Sequence, residues 1–172
     1  DRALIENPYG IGIELNAGII DPKPLVDAGV DPKKISLCHN FFPQQYSGMK
    51  LDQFRKVNAK LKAVSRDISI GAFVSSNAKN THGVWGAVKG LPTVEMMRGL
   101  PIDLQARIML ATGDVDDILI GNAYASEEEL KVLQEAVTAR DLEKEAETNA
   151  MLKMFLQYGI IDPKKVIYTR IR

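Results

Sequence analysis

The feature that most constrains this chain is an alternation. Four short apolar runs, Ile11–Leu15, Ile35–His39, Ile68–Val74 and Ile118–Gly121, are separated by segments of helical character. Each run is too short for a core helix and too continuously apolar for a half-solvated strand. The runs therefore read as strands of a parallel sheet covered by helices. Between them, Leu51, Phe54, Val57, Asn58, Leu61 and Val64 recur at helical spacing, with Lys and Arg on the other face. Leu104, Ile108 and Ala111 form a second stripe. Ser126 followed by Glu129 is a capping box that opens a third helix, and Glu127 and Glu128 suit the positive end of its dipole. Asp-Pro-Lys occurs at Asp21, Asp31 and Asp162, where Asp as cap and Pro in the first turn signal a helix start. From about Glu127 to Gln157 the sequence is charged, helix-prone and free of Gly and Pro, as expected of a helix outside the sheet.

Strand followed by helix, repeated, predicts an α/β fold with a parallel sheet and right-handed crossovers. Four such units make about half of a (β/α) TIM barrel. A whole barrel needs roughly 200–250 residues, and this chain has 172. Half a barrel leaves two sheet edges and one core face uncovered, so a second copy or the missing half is expected as a partner. The N-terminal residue is Asp rather than Met, which is expected of a processed start or of a piece of a longer protein.

Composition narrows the function classes. Lys+Arg and Asp+Glu are 22 each, giving zero formal net charge, so the electrostatic case for nucleic acid or an acidic membrane surface is absent. Cys38 is the only cysteine, which excludes an intramolecular disulfide and a Cys-rich zinc site and suits a reducing compartment. No apolar run approaches the roughly 20 residues of a membrane span, and the first residues carry no signal-peptide pattern.

Ligands of parallel α/β folds bind at the carboxyl ends of the strands. The polar residues of this sequence gather there. Asn16 and Gly18 follow the first strand. His39, Asn40, Phe41, Phe42 and Pro43 end the second. The third leads into a long segment, from Ser75 to about Thr93, that holds His82, Trp85 and Lys89. Gly121, Asn122 and Tyr124 follow the fourth. Each candidate also has a plain reading. His39 could bond a backbone carbonyl, His82 could be solvated, and Trp85 could plug the loop. Glu95 could be a first-turn acid with Arg98 as its ion-pair partner. Glu14 is a functional candidate if it lies on the inner face of a barrel. No Walker, Gly-x-Gly-x-x-Gly or His-Glu-x-x-His motif is present.

Several segments occur together in one order: Leu15-Asn16-Ala17; His39-Asn40-Phe41-Phe42-Pro43 with Tyr46-Ser47-Gly48; Gly90-Leu91-Pro92-Thr93-Val94-Glu95 with Arg98; and Ile120-Gly121-Asn122 before Ser126-Glu127-Glu128-Glu129-Leu130. This series resembles the MupG family, whose characterised members are bacterial 6-phospho-N-acetylmuramidases with an N-terminal TIM barrel and a C-terminal cyclophilin-like domain. The resemblance covers roughly residues 10 to 135 and would correspond to barrel strands five to eight, within a partial barrel domain over 1–172. The cyclophilin-like domain would be absent.

The resemblance implies a cytoplasmic glycoside hydrolase that cleaves 6-phosphorylated amino-sugar glycosides in peptidoglycan recycling. Its partner would be a small phosphorylated sugar, and it implies no metal and no organic cofactor. Such an enzyme needs a carboxylic acid to protonate the glycosidic oxygen and a second carboxylate as nucleophile or base. On this reading Glu95 and His39 are the expected catalytic residues, and Asn16, Asn40, Arg98 and Asn122 the expected substrate-binding ones. The sequence departs from the family pattern where Arg, Arg-Gly-Pro, His and Asp are usual: Gln44, Trp85-Gly86-Ala87 (or His82-Gly83-Val84 in a different alignment), Met97 and Asn122 stand there. An Arg-to-Gln change deletes a bidentate phosphate partner. These departures favour an alternative, a non-catalytic or divergent phosphosugar-binding relative.

Overall fold

The computed structural model describes residues 2–84 and 89–138. Its centre is a four-stranded parallel sheet in sequential order: β1 Ile13–Asn16, β2 Ile35–Cys38, β3 Ser69–Val74 and β4 Asp117–Ile120. Each strand begins or ends within two residues of the run that predicted it. The sheet is open, with β1 and β4 as its edges. Helices connect the strands: α1 Arg2–Glu6 precedes β1, α2 Lys23–Asp27 lies between β1 and β2, α3 Leu51–Val64 between β2 and β3, α4 Ile102–Ala111 between β3 and β4, and α5 Glu127–Thr138 follows β4. Among the described residues no helix is long and apolar enough to cross a membrane.

Strand pairing fixes which residues share a face. Leu15 pairs with Leu37 and Leu37 with Ile70, while Ala72 pairs with Ile118 and Val74 with Ile120. This row faces the helices. It splits into two packed groups: Ile35, Leu37, Ile68 and Ile70 pack with Leu61 of α3, and Ala72 and Val74 pack with Phe54, Met97, Ile108 and Met109. Alternation sends the residues between them to the opposite face. There Glu14 and Asp117 are exposed and Ser36 and Ser69 half-buried, while Gly71 and Cys38 are buried. Burial first, then the charges of Glu14 and Asp117, push the Cys38 thiol up to about 11.

The Asp-Pro-Lys segments differ in detail from the expected helix starts: the cap of α2 is Pro22, one residue after Asp21, and Asp31 caps a 3-10 turn rather than an α-helix. Asp21 Oδ1 accepts from the Lys23 N–H at 2.9 Å at the start of α2, and Asp31 Oδ1 from the Lys33 N–H at 3.0 Å at the start of a 3-10 turn. Glu129 N–H donates to Ser126 Oγ while Ser126 N–H donates to Glu129 Oε2, both sides of the capping box. Asp162, Trp85 and the stretch beyond Thr138 lie outside the described residues.

Candidate functional site

The carboxyl ends of the strands form a rim built by close backbone packing. The segment 91–95 threads between the end of β3 and the segment 42–49. Thr93 N–H donates to Phe73 O and Phe42 N–H to Pro92 O, Met49 N–H donates to Thr93 O, and Glu95 N–H to Met49 O. Thr93 Oγ1 accepts from Phe73 N–H at 2.9 Å and donates to Asn40 O at 2.9 Å. Glycine is needed at the tightest contacts. A Cβ on Gly121 would lie 2.5 Å from Leu91 O, and one on Gly48 would lie 2.6 Å from Glu95 Oε2. Gly90 combines φ +83 with Ser75 Oγ at 2.9 Å from where its Cβ would be. Gly48, Gly90, Thr93 and Gly121, all within the segments singled out in the sequence, build the rim.

Glu95 and Arg98 hold this rim together. Glu95 Oε1 accepts from the Tyr46 N–H at 2.7 Å and Oε2 from the Gly48 N–H at 2.8 Å. Arg98 adds Nε to Oε1 at 2.8 Å and Nη2 to Oε2 at 2.7 Å, a side-on bidentate pair. The rest of the guanidinium donates to the carbonyls of Gly90 at 2.9 Å, Phe42 at 3.0 Å and Gln44 at 3.1 Å. The Arg98 hydrogen bond first, with the two backbone N–H groups also contributing, holds the Glu95 carboxyl down at about 2, although burial opposes this. The group is ionised at any physiological pH, so it is not poised to give up a proton. Arg98 was expected to meet the substrate. Its side chain is only 7% exposed, and its donors are directed into the protein rather than toward a ligand.

His39 lies elsewhere. It follows Leu37 on the helix-facing side, is 1% exposed, and its Nε2 sits 2.6 Å from Asn58 Oδ1 of α3. Its ring centroid is 4.6 Å from that of Phe54. Burial lowers its pKa, with the Asn58 bond partly opposing, so the ring is a neutral core group. The structure does not bring His39 to Glu95.

Asn122 is also internal. It is 4% exposed; its Oδ1 accepts from the Ser76 N–H at 2.8 Å and its Nδ2 donates to Ser76 O at 2.9 Å. The amide thus imitates a strand partner for one residue beyond β3. Gln105 does the same for Ser75, accepting from its N–H at 2.8 Å and donating to its O at 3.0 Å. Nearby, Glu129 is held below its ordinary range. Burial pushes it up, but hydrogen bonds from Ser76, Ser126 and Asn77 outweigh this. No sequence signal marked Ser76, Gln105 or Thr93 as supports.

Asn16 and Asn40 do meet at the rim. Asn16 Nδ2 donates to Asn40 Oδ1 at 2.7 Å, and Asn16 Oδ1 accepts from the Gly18 N–H at 3.0 Å. Asn40 is exposed. The two amides present oriented donors and acceptors at the ends of β1 and β2, which suits recognition of a hydroxylated or N-acetylated ligand. Lys89, an exposed cation on the same rim, donates from Nζ to Gln45 Oε1 at 2.6 Å. His82 is tied down rather than loose: it exchanges backbone hydrogen bonds with Ala123 at 3.2 and 2.7 Å. Among the described residues no group of three or more His, Cys, Asp or Glu side chains is arranged to hold a metal ion.

Two solved structures resemble this chain over most of its length. One, an uncharacterized protein of B. cereus, is 40% identical, with a TM-score of 0.66 over 75% of this chain and 37% of its own. The other, a conserved protein of unknown function from Enterococcus faecalis, is 26% identical, with a TM-score of 0.66 over 78% of this chain and 37% of its own. The chain thus spans well under half the length of either relative. No curated protein matches. The model of one protein family, described as 6-phospho-N-acetylmuramidase, N-terminal, matches residues 2–135, and the chain belongs to that family, MupG_N.

Proposed function

We propose that the strand-end rim binds a 6-phosphorylated amino sugar, and that the intact protein is a glycoside hydrolase of the 6-phospho-N-acetylmuramidase kind, acting in the cytoplasmic recycling of peptidoglycan. The observation that carries this reading is the Asn16–Asn40 amide pair on the exposed rim, in a chain that belongs to this family. The four strands are then the second half of a TIM barrel. Sequential parallel order supports this, because right-handed crossovers in one direction place every helix on one face. The opposite face, with Glu14 and Asp117 exposed, becomes the barrel interior.

Within the reading, Asn16 and Asn40 hydrogen-bond the sugar, and Lys89 is the rim cation available to the phosphate. Glu95 and Arg98 fix the shape of the rim. His39 and Asn122 hold β2 and β3 in place from inside the fold. The proton donor that glycoside cleavage requires is then a carboxyl other than Glu95.

A second reading is a phosphosugar-binding relative without hydrolytic activity. It is favoured by the ionised, fully engaged Glu95 carboxylate. An assay of the full-length protein on a 6-phosphorylated N-acetylmuramic acid glycoside separates the two. Turnover establishes the hydrolase. Saturable binding of N-acetylmuramic acid 6-phosphate without turnover establishes the binding relative, and neither result from folded protein overturns both.

A further inference from the structure

Two tyrosines on the rim stand on backbone that tyrosine rarely adopts. Tyr46 has φ 70 and Tyr124 φ 63, in the left-handed region where Gly or Asn is usual. Tyr46 is the third residue of the turn 44–47, which is closed by Ser47 N–H and Ser47 Oγ, both donating to Gln44 O at 3.2 and 2.6 Å. Turns with positive φ at that position ordinarily carry glycine. The strain is not offset by burial, because Tyr46 is 84% exposed and Tyr124 72% exposed.

Both backbones are nevertheless pinned. Tyr46 N–H is held by Glu95 Oε1, and Glu95 by Arg98. Tyr124 follows Ala123, which is locked to His82 by two backbone hydrogen bonds. The His82 ring stands edge-on to the Tyr124 ring, at 5.8 Å and 85°. Tyr9 supplies the contrast. It is 86% exposed on ordinary backbone ahead of β1, at the opposite end of that strand from the rim. An exposed side chain on strained backbone that its surroundings hold in place points to function rather than folding.

We infer that Tyr46 and Tyr124 are aromatic walls that hold the bound sugar ring between them, one phenol against each face, an inference that deepens and depends on the phosphosugar reading above. A pyranose ring presents C–H groups on its faces. These suit the electron-rich face of a phenol, while the hydroxyl tip stays in water. β2 and β4 flank β3, so the strands leading to the two rings are roughly 10 Å apart at sheet level. The Asn16–Asn40 pair reads the sugar's polar edge, and the two tyrosines read its opposite faces.

The test is calorimetric titration of the full-length protein with N-acetylmuramic acid 6-phosphate, with thermal unfolding of each variant alongside. Tyr46→Phe keeps the ring and is expected to bind as wild type. Tyr46→Gly removes the ring and relieves the backbone, so affinity falls about three- to tenfold while the unfolding midpoint holds or rises. Tyr124→Ala falls similarly, and Tyr9→Ala is unchanged. Wild-type affinity in both Tyr46→Gly and Tyr124→Ala overturns this inference and leaves the phosphosugar reading standing. A wild-type protein that does not bind the sugar phosphate overturns both.

Discussion

Replacing Glu95 with Gln tests whether this carboxylate is a clamp. The change keeps the shape but removes the charge and turns one acceptor into a donor. In the native rim every neighbour of the carboxylate is a donor: Tyr46 N–H, Gly48 N–H, and Nε and Nη2 of Arg98. The new amide NH2 must face at least one of them. Moving a carboxyl from 4.5 to about 2 corresponds to about 3 kcal/mol in favour of the charged form. With 22% of the side chain exposed, screening brings this to on the order of 2 kcal/mol. Arg98, 7% exposed, would then sit without its counter-charge. A loss of about 2–3 kcal/mol at pH 7 is expected by urea denaturation. The pH dependence gives the sign. The folded pKa is depressed, so the contribution is complete above the unfolded value near 4.5 and is lost as pH falls toward 2. The difference between wild type and Glu95→Gln should therefore shrink across that window. A variant within about 0.5 kcal/mol of wild type at pH 7, or a difference that does not narrow in acid, would refute the clamp.

Three further outcomes follow from the same geometry. Asn122→Asp loses the donor to Ser76 O and is expected to cost about 1–3 kcal/mol at pH 7, with recovery at acid pH, where the new carboxyl is protonated and can donate again; urea titrations at both pH values check this. Gly121→Ala drives a methyl to 2.5 Å from Leu91 O, so Ala there should lower the unfolding midpoint by several degrees in a thermal melt. His39 has a lowered folded pKa, so wild-type stability should fall as pH drops through 6.5, and a His39→Gln variant should lack that part of the slope.

Much of the architecture was legible because each level of the sequence agreed with the next. The strand runs, the Leu51–Val64 helix and the Ser126–Glu129 cap lie where apolar spacing and capping chemistry put them. His39 is expected from the sequence to be catalytic, yet strand alternation carries the signal that it points inward. Ile35 and Leu37 are the apolar alternates of β2, so period 2 sends His39 to their side, toward Asn58, and Asn40 to the other. The role of Glu95 was only half legible. Spacing offered Arg98 three residues on, but nothing local announced the Tyr46 and Gly48 N–H groups 49 and 47 residues away. Asn122 was opaque for the same reason, since its partner Ser76 is 46 residues distant. Side chains that satisfy distant backbone groups carry no periodic signature, and at a strand end they look like ligand contacts.

The most direct test of the Asn16–Asn40 sugar site is a crystal structure of the full-length protein with N-acetylmuramic acid 6-phosphate. The sugar is expected over the Asn16–Asn40 pair, with both amides within hydrogen-bonding distance and Glu95 still accepting from Tyr46 and Gly48. A ligand bound away from that pair, or a Glu95 carboxylate released from the two N–H groups and turned toward the glycosidic oxygen, would contradict it.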